Sequence, residues 1–262
     1  MDITNSNIAR RVFPKWGLAL SLAWQDIGDR FARTVLGPFW IVISNAVLVV
    51  GITIVFGALF KAPIKDFVVY VSLGIALWTF MSTIMTGASK YLENGKNILF
   101  TYNIPWSTQI TRKVFVEAIV LMIHLCIAIP VIIITQDDLT YVSFLALAGV
   151  FLNLLFGYGL ALIISSYGVR YLDLSHALES VMLFLFLFTP VFWVEAALGP
   201  TRSAFIQYNP LFHFLETVRA PILNNAIPYD SFAVSGTFAI IVLVSGLYIY
   251  KTRRADIGMW MQ

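Results

Sequence analysis

Charge and cysteine are both scarce in this chain. Of its 262 residues, 12% are charged and 59% are hydrophobic, against roughly 25% and about 45–50% in a soluble domain. So little charge cannot solvate a globule of this size, which excludes a water-soluble enzyme. The 21 Phe, 11 Tyr and 7 Trp exclude a disordered chain, because that much apolar surface is not left in water. One cysteine, Cys126, and three scattered histidines, His124, His176 and His213, allow neither an intrachain disulfide nor a Cys/His metal cluster. A phosphate-cradling loop is missing as well. Gly95-Lys96 is followed by Asn97, and Lys90 stands where the first glycine of that loop belongs. No G-x-S-x-G elbow occurs. After Arg10, Arg11 and Lys15 there is no compact apolar stretch ending in a small-residue cleavage site, so a secretory signal is not expected. The net charge of +3 calls for no nucleic-acid partner, since membrane topology accounts for where Lys and Arg fall.

What is present is a series of long apolar runs. A helical span needs about 20 such residues to cross about 30 Å of hydrocarbon. Six runs qualify: Phe39–Phe60, Phe67–Gly87, Val114–Thr135, Ser143–Ser166, Ala177–Val194 (extendable back to Leu172) and Phe232–Tyr250. They are continuous, not alternating, which favours helices over barrel strands. The expected fold is therefore all-α, one polytopic membrane domain over residues 1–262. Thirteen of the 17 Lys and Arg fall before span one, between spans two and three, between four and five, and after six. Lys61, Lys65, Arg202 and Arg219 fall on the other side, where the second connection offers only Asp137 and Asp138. Both termini are thus expected in the cytoplasm.

Three segments are neither spans nor turns. Within residues 12–37, Trp16, Leu20, Trp24, Ile27, Phe31 and Val35 form one helical stripe, with Asp26, Asp29, Arg30 and Arg33 mainly elsewhere. This predicts an amphipathic helix along the interface, either an anchor or a holder of a partner protein. Glu195–Ser231 is too apolar for a free loop and is cut by Pro200, Pro210, Pro221 and Pro228. Two short half-helices dipping into the bundle, or an ordinary folded cap, would bury its apolar groups. In Ser89–Trp106, Tyr91, Leu92, Ile98, Leu99, Phe100 and Tyr102 need cover, from the bundle or from a partner.

Ionisable groups at depth are few. Glu117 and Glu179 begin spans and are expected to pair with Arg112, Lys113 or Arg170; His124 is expected to be a hydrogen-bonded interior histidine. No catalytic residue is assigned, and ion-coupled transport is disfavoured. In span four, Gly149, Asn153, Gly157 and Ala161 form a small-residue stripe for close packing, inside the monomer or between copies. Span five carries Phe184, Phe188 and Phe192 at a spacing of four, then Trp193, facing lipid, a packing surface or a pore.

Four motifs then agree with one family. They are Arg30-Phe31-Ala32-Arg33-Thr34-Val35-Leu36-Gly37-Pro38-Phe39-Trp40 before span one, Arg170-Tyr171-Leu172-Asp173-Leu174 before span five, Thr189-Pro190-Val191-Phe192-Trp193 at its exit, and Asn209-Pro210-Leu211 followed by Glu216 and Arg219. In order and spacing the chain resembles the transmembrane subunit of ABC-2-type exporters of the polysaccharide and polyol-phosphate branch. The resemblance implies a homodimer bound to two ATPase subunits, which carry the ATP and Mg; the chain itself needs no cofactor. It implies ATPase contacts through Trp24 and Asp26 of the interface helix and through Tyr91, Leu92, Ile98, Leu99 and Phe100. It implies a pore or gate at Phe184, Phe188, Phe192, Trp193, Asn209, Pro210 and Leu211. The cargo would be a lipid-linked glycan of O-antigen or capsule type, crossing the bacterial inner membrane. Arg30 and Arg33 would meet the carrier's pyrophosphate, unless they serve only positive-inside anchoring. Rival readings are an ABC-2 exporter of a drug or small lipid, and an integral-membrane enzyme acting on lipid-linked sugars.

Overall fold

The computed structural model describes residues 14–102, 104–136, 140–194 and 206–261. Arg10, Arg11, Asp137, Asp138, Arg202 and the first part of the predicted external segment, 195–205, lie outside them. Among the described residues there are ten α-helices, no strand, and two short 3-10 turns. In chain order they are α1 (Trp16–Phe31), α2 (Phe39–Phe60), α3 (Ile64–Gly87), α4 (Tyr91–Asn94), α5 (Lys96–Thr101), α6 (Trp106–Thr135), α7 (Leu145–Gly168), α8 (Leu174–Phe188), α9 (Pro210–Leu223) and α10 (Tyr229–Trp260). Five of these, α2, α3, α6, α7 and α10, are long and apolar enough to cross a membrane. The chain is an all-α polytopic membrane protein.

The predicted bounds fail in instructive ways. The start of α6 is Trp106, eight residues before the predicted Val114, and α10 runs to Trp260, well past Tyr250. Polar and charged residues end the apolar run but not the helix, since backbone bonding continues into the headgroup region and beyond. Span five errs the other way. Its helix, α8, has 15 residues, about 22 Å at 1.5 Å per residue, short of the hydrocarbon thickness. Thr189 leaves helical geometry just before Pro190, as the restriction on a residue preceding proline requires.

The innermost helix is α3, buried from Phe67 to Ile84 along most of its faces. Around it stand α2, α6, α7, α8 and α9. The most extensive helix pair is α7 with α10. There the backbones come close: a Cβ on Gly246 would sit 2.6 Å from the carbonyl oxygen of Gly159, and one on Gly159 would sit 2.7 Å from the backbone nitrogen of Leu243. Lipid tails are as apolar as leucine, so close van der Waals contact between small residues is what draws such helices together. The small-residue stripe of span four is used inside the monomer. Gly149 lies against the Thr217 backbone of α9, Gly157 against Phe80 and Ile84 of α3, and Asn153 donates to the carbonyls of Gly149 (2.9 Å) and Phe214 (3.2 Å).

The interface helix forms, with a correction to which face does what. Its buried stripe is Ala19, Ala23 and Ile27, set against Val116 and Val120 of α6. The predicted stripe divides: Ile27 joins the buried face and Trp16 meets the Phe115 and Tyr158 rings, while Trp24 is 70% exposed. Ala19 and Ala23 let α1 approach α6 closely, leaving Trp24 for the membrane boundary. Gly37, at φ 55° in the connection to α2, takes the left-handed conformation that makes its place in the motif a backbone requirement.

Candidate functional site

Three groups of predicted residues can be followed from the sequence into the fold. The first lies at the end of the bundle carrying most of the Lys and Arg. Asp26 was expected on an outward charged face; it points inward instead. Its carboxylate accepts from Arg112 Nη2, from Arg112 Nε at 3.0 Å and from Lys113 Nζ at 3.0 Å. Arg112 Nη1 donates to Gln109 Oε1 (3.3 Å), and Gln109 Nε2 donates to the Tyr91 carbonyl (3.2 Å). A continuous polar chain thus joins α1, the first turns of α6 and α4. It is reinforced by Lys15 N donating to Thr108 Oγ1 (3.1 Å) and Ser107 N donating to Tyr250 Oη (2.9 Å). Burial alone would raise the Asp26 carboxyl, but the hydrogen bonds and charges of Arg112 and Lys113 outweigh it and hold its pKa below the ordinary carboxylate value. Gln109 was missed from sequence; a lone amide three residues before an arginine carries no signal there.

The α4–α5 segment receives its cover from the bundle. Tyr91, Leu92 and Leu99 are buried, and Ile98 and Phe100 are partly buried, Phe100 meeting the Trp106 ring edge-on at 5.5 Å. What the segment turns outward is polar: Lys90, Glu93, Asn94, Asn97 and Thr101, with Tyr102 the one large exposed ring among these described residues.

A second group sits where α8 ends, and it unites two of the four motifs. The side chain of Arg219, on α9, is 1% exposed and reaches across the bundle. Its Nη1 donates to the Pro190 carbonyl and its Nη2 to the Val191 carbonyl, both at 2.6 Å. The guanidinium lies 3.7 Å from the centre of the Tyr70 ring, and Tyr70 Oη donates to the carbonyls of Pro190 (2.9 Å) and Trp193 (3.0 Å). Asn209 caps α9 by accepting from Leu211 N (3.0 Å), while its Nδ2 donates to Thr189 Oγ1 (2.9 Å). A non-helical stretch inside a membrane bundle needs its carbonyls satisfied by protein, and Arg219 and Tyr70 supply those partners, while Asn209 ties down the Thr189 hydroxyl. Gly74 on α3 makes the room, since a Cβ there would collide with the Arg219 guanidinium and the Val191 carbonyl. Arg219 is thus a brace and not one more surface cation of the external side. For Arg219 and Thr189 a motif position was the available signal; Tyr70 and Gly74 gave none. The described part of the predicted external segment holds the 14-residue helix α9, with Phe214 and Leu215 fully buried; residues 195–205, where a second short helix was expected, lie outside it.

The aromatics of span five divide. Phe184 and Phe188 stack on each other, centroids 4.3 Å apart, and both are more than half exposed. Phe192 turns inward against Phe56 (4.9 Å) and Phe186 (5.1 Å), and Trp193 is half-buried. Pro210 is half-buried and Leu211 buried.

The third group surrounds Arg30 and Arg33, both exposed at the end of α1. Here two pairing expectations are corrected. The close ion pairs of Arg112 and Lys113 run to Asp26, Lys113 acting on Glu117 only through its charge, and Glu179 lies 3.6 Å from His176. Arg170 instead stacks over the Tyr171 and Trp260 rings, 5.4 and 5.2 Å away. Nor is His124 hydrogen-bonded as expected, for its Nδ1 is buried without a partner.

Comparison with known proteins places these features. O-antigen export system permease protein RfbA of Myxococcus xanthus is 19% identical over 252 residues, covering 95% of this chain and 97% of the relative. Two permease proteins of that same name from Klebsiella pneumoniae are 23% and 21% identical over 243 residues, each covering 89% of this chain and 92% of the relative. The family profile described as ABC-2 type transporter matches residues 18–223, from the interface helix to the end of α9. With more than half its length inside that match, and with the all-α membrane bundle described above, the chain belongs to the ABC-2 type transporter family as a membrane subunit.

Proposed function

We propose that the chain is the permease of an ATP-driven exporter that carries a lipid-linked polysaccharide, of O-antigen or capsule type, across the bacterial cytoplasmic membrane. It works as a homodimer with two ATPase subunits that bind ATP and Mg, and both termini face the cytoplasm. The observation that carries this reading is the nearly end-to-end similarity to O-antigen export permeases over 95% of the chain. The charge asymmetry of the connecting segments supports the orientation.

The mechanism follows from the polar chain at the basic end. The ATPase meets the outward residues Glu93, Asn97 and Tyr102, and Trp24 of α1 is a further contact. Leu92 and Leu99, fully buried, make the segment move as one piece with the bundle. A displacement there passes through the Tyr91 carbonyl, Gln109 and Arg112 to Asp26, so α1 and α6 shift together. The opening path runs past the exposed Phe184–Phe188 face of α8, while the Arg219 brace holds the end of that helix at the outer side.

The test separates surface from core. Replacing Glu93, Asn97 and Tyr102 together by alanine is expected to abolish ATPase capture and export while leaving the melting temperature of the permease within about 2 °C. Leu92→Ala or Leu99→Ala is expected to cost about 2–4 kcal/mol of stability instead. Intact export by the triple variant would sink the coupling assignment. A deletion strain should accumulate carrier-linked glycan on the inner face; unchanged surface polysaccharide would sink the cargo.

A further inference from the structure

Two of the larger hollows in the molecule, about 630 Å3 between α6, α7 and α9 and about 920 Å3 beside α1, are walled almost wholly by hydrocarbon. A crevice of about 370 Å3 between α2, α3 and α6 is different. Asn45 of α2, Thr83 of α3, and Glu117 and His124 of α6 all line it, with Arg30 and Trp40 at its mouth. Glu117 and His124 are seven residues apart, two turns of α6, and so share a face. His124 stands ten residues past Val114, where the apolar run begins; that is about 15 Å, or close to mid-membrane. The mouth lies at the basic end, where α1 gives way to α2.

Not all of the polar groups here are consumed by the fold, though Thr83 Oγ1 already donates to the carbonyls of Thr79 (2.8 Å) and Phe80 (3.2 Å). His124 is 6% exposed, yet its Nδ1 has no hydrogen-bond partner. A buried polar atom left unpaired in a low-dielectric interior is costly, and where one persists it commonly meets a ligand. An acyl chain would leave His124 and Asn45 unpaired, and an inorganic anion would be opposed by Glu117. The set combines an acceptor-only carboxylate, an amide that both donates and accepts, a threonine hydroxyl left to accept, and an imidazole. Neighbouring ring hydroxyls, each donor and acceptor at once, match that combination. Trp40, 45% exposed at the mouth, offers a flat face for the apolar C–H side of a sugar ring.

We propose that this crevice binds a sugar unit of the exported glycan, its hydroxyls meeting Asn45, Glu117 and His124 and its C–H face resting on Trp40. The assignment rests on the export reading above and specifies where the cargo is recognised.

The full chain in lipid nanodiscs would be titrated with farnesyl pyrophosphate bearing one N-acetylglucosamine, with farnesyl pyrophosphate alone, and with free N-acetylglucosamine. The sugar-bearing lipid is expected to bind about tenfold more tightly than the sugarless one, and free sugar to displace only the former. His124→Leu and Asn45→Leu are each expected to erase about tenfold of affinity for the sugar-bearing lipid and none for the sugarless lipid. Thr83→Val, which keeps the shape, should lose less and guards against misfolding as the cause. Equal binding of the two lipids by the wild type, or equal weakening of both in the variants, overturns the site. A deletion strain with normal surface polysaccharide would overturn the export reading and leave the binding result standing; sugar-blind binding in a strain that needs the chain for export would overturn this site alone.

Discussion

At the scale of single residues, Arg219 makes the strongest claim on the fold. It places a guanidinium where lipid or apolar side chains would otherwise be, and two carbonyls freed by the break at Thr189-Pro190 take it up. Hydrogen bonds from a charged donor contribute roughly 1.5–3 kcal/mol each, and the partner left behind stays unsatisfied. Arg219→Met is therefore expected to destabilise the permease by about 2–4 kcal/mol, read as a loss of unfolding free energy in detergent micelles. Gly74→Ala should cost a similar amount by pushing the same guanidinium and the Val191 carbonyl apart. Because both act on one contact, their effects should fall short of additive in the double variant. Full additivity would mean that the brace is not shared. None of this is legible at position 74, since a glycine in an apolar run looks the same whether it faces lipid or an arginine.

At the scale of elements, α1 shows what periodicity can and cannot tell. The stripe of large apolar residues announced a helix lying on a surface, but the apolar arc of that helix is wider than the stripe and includes Ala19 and Ala23. Packing turned Ala19, Ala23 and Ile27 inward, because the two alanines allow close approach to α6. Asp26, near that docked face, fixes the helix to Arg112 and Lys113. With its pKa held below the ordinary value, Asp26 keeps this link whole above the unfolded carboxylate pKa of about 3.9, and loses it only as pH falls through the lower folded value. Hydrogen-exchange protection of α1, corrected for intrinsic rate, should accordingly be flat from pH 5 to 8. Asp26→Asn should loosen α1 throughout that range by about 1–2 kcal/mol, a modest figure because the carboxylate keeps some solvent contact. A wild-type protection step near neutral pH would contradict the assignment of this anchor.

At the scale of the whole molecule, the chain is a bundle with one strongly buried helix, α3, and outer helices, α2 and α10, left largely open. Thirteen of 17 cationic side chains fall in alternate connections of the sequence, which predicts how such a bundle inserts. Alkaline phosphatase fused after Ala62 should be active, and the same enzyme fused after Asn94 or Gln262 inactive; green fluorescent protein at the C-terminus should glow. The reverse pattern would invert the molecule and take the coupling segment away from any cytoplasmic ATPase.

The sequence by itself determined that the chain is helical, that it lives in a bilayer and which family it joins, because those properties are summed over many residues: the length of an apolar run, the excess of cations on one side, four motifs in order. The bounds of α2 could be read to the residue, since apolar run and helix end together at Lys61. Only the tertiary structure decided which apolar groups are covered by the bundle, as with Leu92 and Leu99, and which polar side chains serve the fold, as with Arg219, or stand unpaired, as with His124. Those outcomes depend on what a distant segment brings alongside, and a residue carries no local mark of the neighbour it will meet 20 or 120 positions away.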